Sequence, residues 1–354
     1  MKKLLVPFIV LSLLSFTGCS KKTTEPTPPP TPAPRLIVDT VSVAPNMDSV
    51  DTPVWSLVDS ALVEIGGEPA TYGFDPSLGK IDVTLKAIRN NDTLYIYAKW
   101  KDANADLWGN YIQHTANYGT WVQNTSEGED KFFVFFDTGN NGSEKANCAS
   151  MCHATEMKAS AGGHVDIWNW KSTTTAPAKL CEDQWMRGDS GMVLDAIYPN
   201  FYAYKSNWRA DYGGLNWEEP LMMHKSDTAF HSPFLFKEDA VVYKLQVGWK
   251  TLAIVPGYYI DSTIYDSPDR SASSRWDILS ASRFDSLSTP HTWTVVFARA
   301  LNTGRLDDDA RFDNVDSVQV TIAAADGQVP YQLPDLIYEW QHSGSKPFYI
   351  ILKP

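Results

Sequence analysis

The chain has little of what a helical protein or a familiar hydrolase would need. Long stretches with apolar residues at helical spacing are nearly absent, which argues against a helix bundle. There is no Gly-x-Ser-x-Gly elbow, no His-Glu-x-x-His pair and no phosphate loop, so those three chemistries have no residues to run on. Basic charge is scarce: 30 Lys and Arg stand against 42 Asp and Glu, a net charge of −12. That acidic balance argues against nucleic acid and suggests a basic partner or simple solubility. Adjacent carboxylates such as Glu218-Glu219 need not converge, so enzyme chemistry finds no acid/base pair here. With 4 cysteines in 354 residues, each can be considered singly. No internal repeat is evident.

The first 35 residues read as export and tether. Lys2 and Lys3 form a positive start, and Leu4 to Phe16 is an apolar run too short to span a bilayer comfortably. Phe16-Thr17-Gly18-Cys19 is similar to the lipobox of bacterial lipoproteins, with Phe16 where Leu is usual. The resemblance implies a signal peptide over 1–18, cleavage before Cys19 and lipidation of Cys19, hence a membrane anchor. Removing Lys2 and Lys3 takes the net charge from −12 to −14. Ser20 follows the cysteine rather than Asp, which in a Gram-negative host favours the outer membrane, facing the periplasm or the cell surface. Residues 19–35 continue as a Pro/Thr-rich linker, extended and unable to pack.

Residues 36–354 form one expected domain. Ile81 to Ile88 alternates apolar and polar residues, Asn90-Asn91-Asp92 turns, and Thr93 to Trp100 returns, which reads as a hairpin. Lys131 to Phe136 is an aromatic strand ending in Asp137 to Gly142. That turn lacks an oxygen ligand at Gly139 and has Cys148 where a calcium loop needs Glu. Further strands are expected at Ala240 to Val247, Trp293 to Arg299, Ser317 to Ala324 and Pro347 to Leu352, with short helices around Trp55 to Ala61 or Cys152 to Met157. The span from Gly139 to Asp239 shows few convincing strands, and so long a loop must fold over something. The pattern predicts a mainly β chain, a β-sandwich with long loops.

Chemistry concentrates at Cys148-Ala149-Ser150-Met151-Cys152-His153. Two thiols can each add to a porphyrin vinyl group, and the adjacent imidazole can then meet the iron. Three residues separate the cysteines rather than the usual two. A Cys148–Cys152 disulfide, a zinc site completed by Cys181 or His164 and a redox thiol pair are the alternatives. The length of the excursion suits a haem large enough to organise it.

Taken together, Gly128 to Phe136, Cys148-x-x-x-Cys152-His153, Gly163-His164-Val165-Asp166-Ile167-Trp168-Asn169-Trp170-Lys171 and Asp183-Gln184 resemble the haem-binding domain of the ethylbenzene dehydrogenase family. That family includes the cytochrome subunits of ethylbenzene and dimethyl sulfide dehydrogenases. Trp293 to Gly304 with Asp308, Asp309 and Phe312 fits it as well, and Trp55 with Leu94 to Asp102 resembles related sugar-binding sandwiches. The likeness covers most of residues 45–325. It implies an immunoglobulin-like β-sandwich whose long loops enclose one haem c, an electron carrier rather than an enzyme. Its redox partner would be a molybdenum oxidoreductase or another cytochrome.

His153 is then the proximal iron ligand. Candidates for the sixth position are His164, Met157 and, behind them, the Met222-Met223-His224 cluster and Lys250. Trp168 and Trp170 pack near the porphyrin or in the core, and Lys171 meets a propionate or solvent. Cys181 is left over, either buried, paired between chains or bridged to Cys148 or Cys152. Asp307-Asp308-Asp309 could bind calcium, although acidic loops mostly face solvent. The different-class alternative is a carbohydrate- or ligand-binding sandwich without haem.

Overall fold

β-branched and aromatic residues dominate the chain's apolar runs, and most of those runs form strands. The computed structural model describes residues 34–65, 81–114, 121–123, 128–137, 164–187, 192–194, 202–209, 219–225, 232–243, 254–267, 273–305, 309–327 and 341–352. Residues 33–354 form one compact unit. Among the described residues there is no α-helix, only strands and short 3-10 turns.

Thirteen strands make the main sheet. They are β1 (Arg35–Thr40), β2 (Ala61–Ile65), β3 (Ile81–Asn90), β4 (Thr93–Lys101) and β5 (Lys131–Asp137). Next come β6 (His164–Lys171), β7 (Leu180–Arg187), β8 (Met192–Leu194) and β9 (Ile278–Asp285). Last are β10 (Thr292–Ala300), β11 (Ser317–Asp326), β12 (Gln341–Gly344) and β13 (Phe348–Ile351). The strand order is β1-β13-β11-β5-β6-β7-β9-β10-β4-β3-β2.

Two strands change layers and close the circuit. The first half of β1 lies parallel to β13, and its second half lies parallel to β3. Leu180 and Cys181 of β7 pair with β9, whereas Glu182 to Arg187 pair with β6. One layer therefore holds β13, β11, β5, β6 and most of β7, and the other holds β9, β10, β4 and β3. Strands that pass between layers are how a sandwich turns its corners without leaving bare edges. The expected β-sandwich is the fold observed.

The core between the layers is aromatic. Trp100 stacks on Phe132 at 4.8 Å between ring centres, Trp170 meets Trp293 edge-on at 5.0 Å, and Phe136 lies 4.7 Å from Trp168. Cys181 is a free, buried thiol in this core, which removes the bridge to Cys148 or Cys152. Burial is the main cause pushing its thiol well above the ordinary range.

Most of the expected strands are present. Ala240–Val242 covers only the start of the one read over Ala240 to Val247, since residues 244–250 lie outside the described set. The proposed helix at Trp55 to Ala61 is instead a 3-10 turn, Pro53–Ser56, and Ala61 opens β2. The larger correction concerns the span from Gly139 to Asp239, which contains the long strands β6 and β7. Their residues are buried on both faces, with His164 to Trp170 all buried, so no two-residue alternation marks them.

The β3–β4 turn depends on Asn91, whose φ is 49°. Asn and Gly enter this left-handed region readily, while a β-branched residue does not. Asn91→Val is expected to lower unfolding free energy by about 1–2 kcal/mol and Asn91→Gly to change it little. Urea midpoints for the two variants check this.

Candidate functional site

Pleating sends alternate residues of β5, β6 and β7 to opposite sides. Phe132, Val134 and Phe136 enter the core, and Phe133 and Phe135 face outward. On β6, Trp168 and Trp170 enter the core with the Asp166 carboxylate, while Val165, Ile167, Asn169 and Lys171 face outward. The outward face is nevertheless buried. Phe135, Val165, Ile167, Met186 and Ala323 form a second apolar cluster there, each no more than 1 % exposed.

This cluster lies at the end of the layer where Asp137 pairs with Val165, and Val165 with Met186. The segment 138–163, which carries Cys148, Cys152, His153 and Met157, joins these two strand ends; it lies outside the described residues, as do Cys19 and Lys250. His164 opens β6, is 7 % exposed, and its ring meets Trp185 edge-on at 5.7 Å.

The other end of the outward face is charged. Glu182, fully buried, accepts from Lys171 Nζ at 2.5 Å, Tyr204 Oη at 3.0 Å, Gln184 Nε2 at 3.1 Å and Arg275 Nε at 2.7 Å. Burial alone would raise its carboxyl pKa, but Lys171 and Arg275 outweigh burial and lower it. The same contest holds Lys171 charged: burial would lower its pKa, and Glu182 more than reverses that. Lys131 lies directly across from Lys171, with Glu129 3.9 Å away. Burial dominates there and brings Lys131 down to about 8.

A second charged group lies inside the sandwich. Arg299, from β10, is fully buried, and its guanidinium packs over Trp168 and Phe312. Its Nη1 reaches Asp166 Oδ2 at 2.7 Å, Asp183 Oδ2 at 3.2 Å and Asp309 Oδ1 at 3.9 Å. The sequence reading expected the Asp307 to Asp309 loop to face solvent. Asp309 is instead 2 % exposed. Burial pushes Asp166 up to about 6 and the nearby Asp277 to about 7.

A third acidic group, Asp106, Asp130 and Asp326, sits at the sandwich end. Asp130 there accepts from the amides of Asp106 and Gly327 and from the Trp293 indole. Burial first, then Asp102, raises its pKa to about 7.

The residues expected at the site are thus separated. Trp168 and Trp170 face the core and Lys171 the opposite side, so the three do not line one wall. Lys171 is engaged by Glu182 rather than solvent. Met223 packs with Ile112, Trp121, Tyr243 and Val255, in a cluster apart from the one on β5 to β7. Sequence reasoning missed Met186, Glu182, Tyr204 and Arg275. Met186 lacked a signal because its strand shows no alternation, and Arg275 comes from a segment 93 residues beyond Glu182.

A family model described as ethylbenzene dehydrogenase matches residues 52–329. No curated protein matches the chain. Among solved structures, a protein of Bacteroides uniformis proposed to bind carbohydrate is similar, at 7 % identity and a TM-score of 0.37, over 90 % of this chain and 91 % of that one. A family 9 carbohydrate-binding module of Caldicellulosiruptor kristjanssonii, solved with glucose, is similar at 8 % identity and a TM-score of 0.29, over 83 % of this chain and 78 % of that one.

Proposed function

The chain belongs to the ethylbenzene dehydrogenase family, and from that premise we propose that it is an exported, lipid-anchored monohaem c-type cytochrome. Cys148 and Cys152 hold the haem by thioether bonds, and His153 is the proximal ligand. When bound, the haem supplies a one-electron couple, its iron cycling between ferric and ferrous.

The observation that carries this reading is the setting of the cysteine motif. Its segment leaves and rejoins the sheet beside a buried, outward-facing apolar cluster. That cluster suits a large apolar macrocycle. Phe135, Val165 and Ile167 make that neighbourhood apolar, and Met186 adds a thioether to the candidate sixth ligands His164 and Met157. A Met sulfur would raise the potential and a second His would lower it.

The charged end carries Lys131, Lys171 and Arg275 beside Glu129 and Glu182. The redox partner is a molybdenum oxidoreductase or another cytochrome, met at the periplasmic or outer surface to which lipidated Cys19 tethers the domain.

The test is a reduced-minus-oxidised spectrum of protein made with the cytochrome c maturation machinery, followed by a haem stain after denaturing electrophoresis. A sharp reduced α-band and a stain that survives denaturation are expected. Clean full-length protein without a Soret band would overturn the reading in favour of a Cys148–Cys152 disulfide and a ligand-binding sandwich.

A further inference from the structure

Three carboxylates surround one guanidinium inside the sandwich, and two of them hold oxygens that accept no hydrogen bond among the described residues. Asp166, Asp183 and Asp309 each offer an oxygen, the three lying within 4.8 Å of one another. Arg299 reaches all three in a region removed from water, and Asp183 Oδ1 also accepts from the Gln184 amide at 2.9 Å. The neighbouring Asp277 is a further carboxylate, and Arg305 lies 2.9 Å from it.

Uncompensated buried charge is costly, and proteins remove that cost by pairing, protonation or metal coordination. The hydrogen bonds point the same way. Among the described residues, both carboxylate oxygens of Asp309 accept no hydrogen bond although its side chain is fully buried, and neither does Asp166 Oδ1. The remaining Asp166 oxygen is used by Arg299 and by the Ala310 amide at 2.7 Å. The idle oxygens therefore belong to side chains gathered around one point.

We propose that Asp166, Asp183 and Asp309 bind a divalent, oxygen-seeking cation of the calcium class. The donor set is all carboxylate, without thiol or imidazole, which suits calcium or magnesium rather than zinc or copper. A charge of +2 suits carboxylates held away from water. The ion joins β6 and β7 of one layer to the segment that follows β10 of the other, and Arg299 spans the same gap. Its role is structural: it ties the loop at Asp309 down onto the sandwich. A cleft of about 370 Å³ is lined by Tyr95, Asp277, Asn302, Arg305 and Arg299. In the Asp106, Asp130 and Asp326 group only Asp130 is fully buried, and both of its oxygens are already used, although Asp106 Oδ2 accepts no hydrogen bond among the described residues. The proposal does not rest on the haem reading.

Thermal unfolding of the full chain tests it, in EDTA and in millimolar CaCl2. Calcium is expected to raise Tm by about 5 °C, as an ion at roughly a hundred times its dissociation constant does. Asp309→Asn should abolish the shift and Asp326→Asn should keep it. An unchanged wild-type Tm would overturn the proposal, and so would a shift that survives Asp309→Asn. If Asp309→Asn does not fold, Tb3+ emission under tryptophan excitation decides. Trp168 stacks on Arg299, so the emission should appear in the wild type and fall in Trp168→Phe. No emission, or emission indifferent to Trp168→Phe, would overturn it.

Discussion

A Cys148→Ala, Cys152→Ala double variant is expected to fold but to show no haem stain after denaturing electrophoresis. The expected effect is all or none, because each thioether is a covalent bond that denaturant cannot break. Either single variant keeps one thioether and should still stain. His153→Ala should also stain, since both bonds survive, but its reduced spectrum should change with the loss of the proximal imidazole. Cys181 cannot take over, because it is fully buried in the core, and Cys19 is the proposed lipidation site. Folding should persist because the sandwich has its own core, built from Trp100, Phe132, Trp170 and Trp293. The readout is the stain and the spectrum at equal protein. A double variant that stains like the wild type would sink the assignment of these two cysteines.

Glu182→Gln is expected to cost about 3–5 kcal/mol of stability, the range seen when one partner of a buried ion pair is removed. The amide keeps the shape of the carboxyl, but Lys171 and Arg275 are then left without their counter-charge. Tm should fall by on the order of 10 °C. The same group predicts a pH dependence. Its folded pKa lies below the ordinary 4.5, so the unfolded chain takes up protons first as pH falls. Its contribution is therefore complete above about pH 4.5 and is lost as pH drops through the lower folded value. Glu182→Gln should lose that part of the acid sensitivity. Denaturant unfolding of both proteins at pH 7 and pH 4 measures it, and equal stabilities at pH 7 would contradict the network's role.

The hairpin at Ile81 to Trp100, the strand at Lys131 and the three closing strands were legible because they alternate or carry dense aromatic runs beside clear turns. β6 and β7 were not, because burial on both faces erases the alternation that identifies a strand. The cysteine motif stood out in the sequence as a candidate, through the spacing of Cys148, Cys152 and His153. Which side chains share its neighbourhood was not. Trp168, Trp170 and Lys171 are near neighbours in sequence, yet the pleat sends the tryptophans inward and the lysine outward.

By itself, then, the sequence determined the class of the fold and the family, and it singled out Cys148, Cys152 and His153 as candidates. These depend on local pattern: period, composition and spacing. The tertiary structure alone decided that Arg299 meets Asp166, Asp183 and Asp309, and that Glu182 meets Arg275. Those partners come from distant strands, and only the closure of two layers brings them within a few ångströms. Local pattern carries no record of such meetings, because it is long-range register that sets which buried charges must neutralise one another.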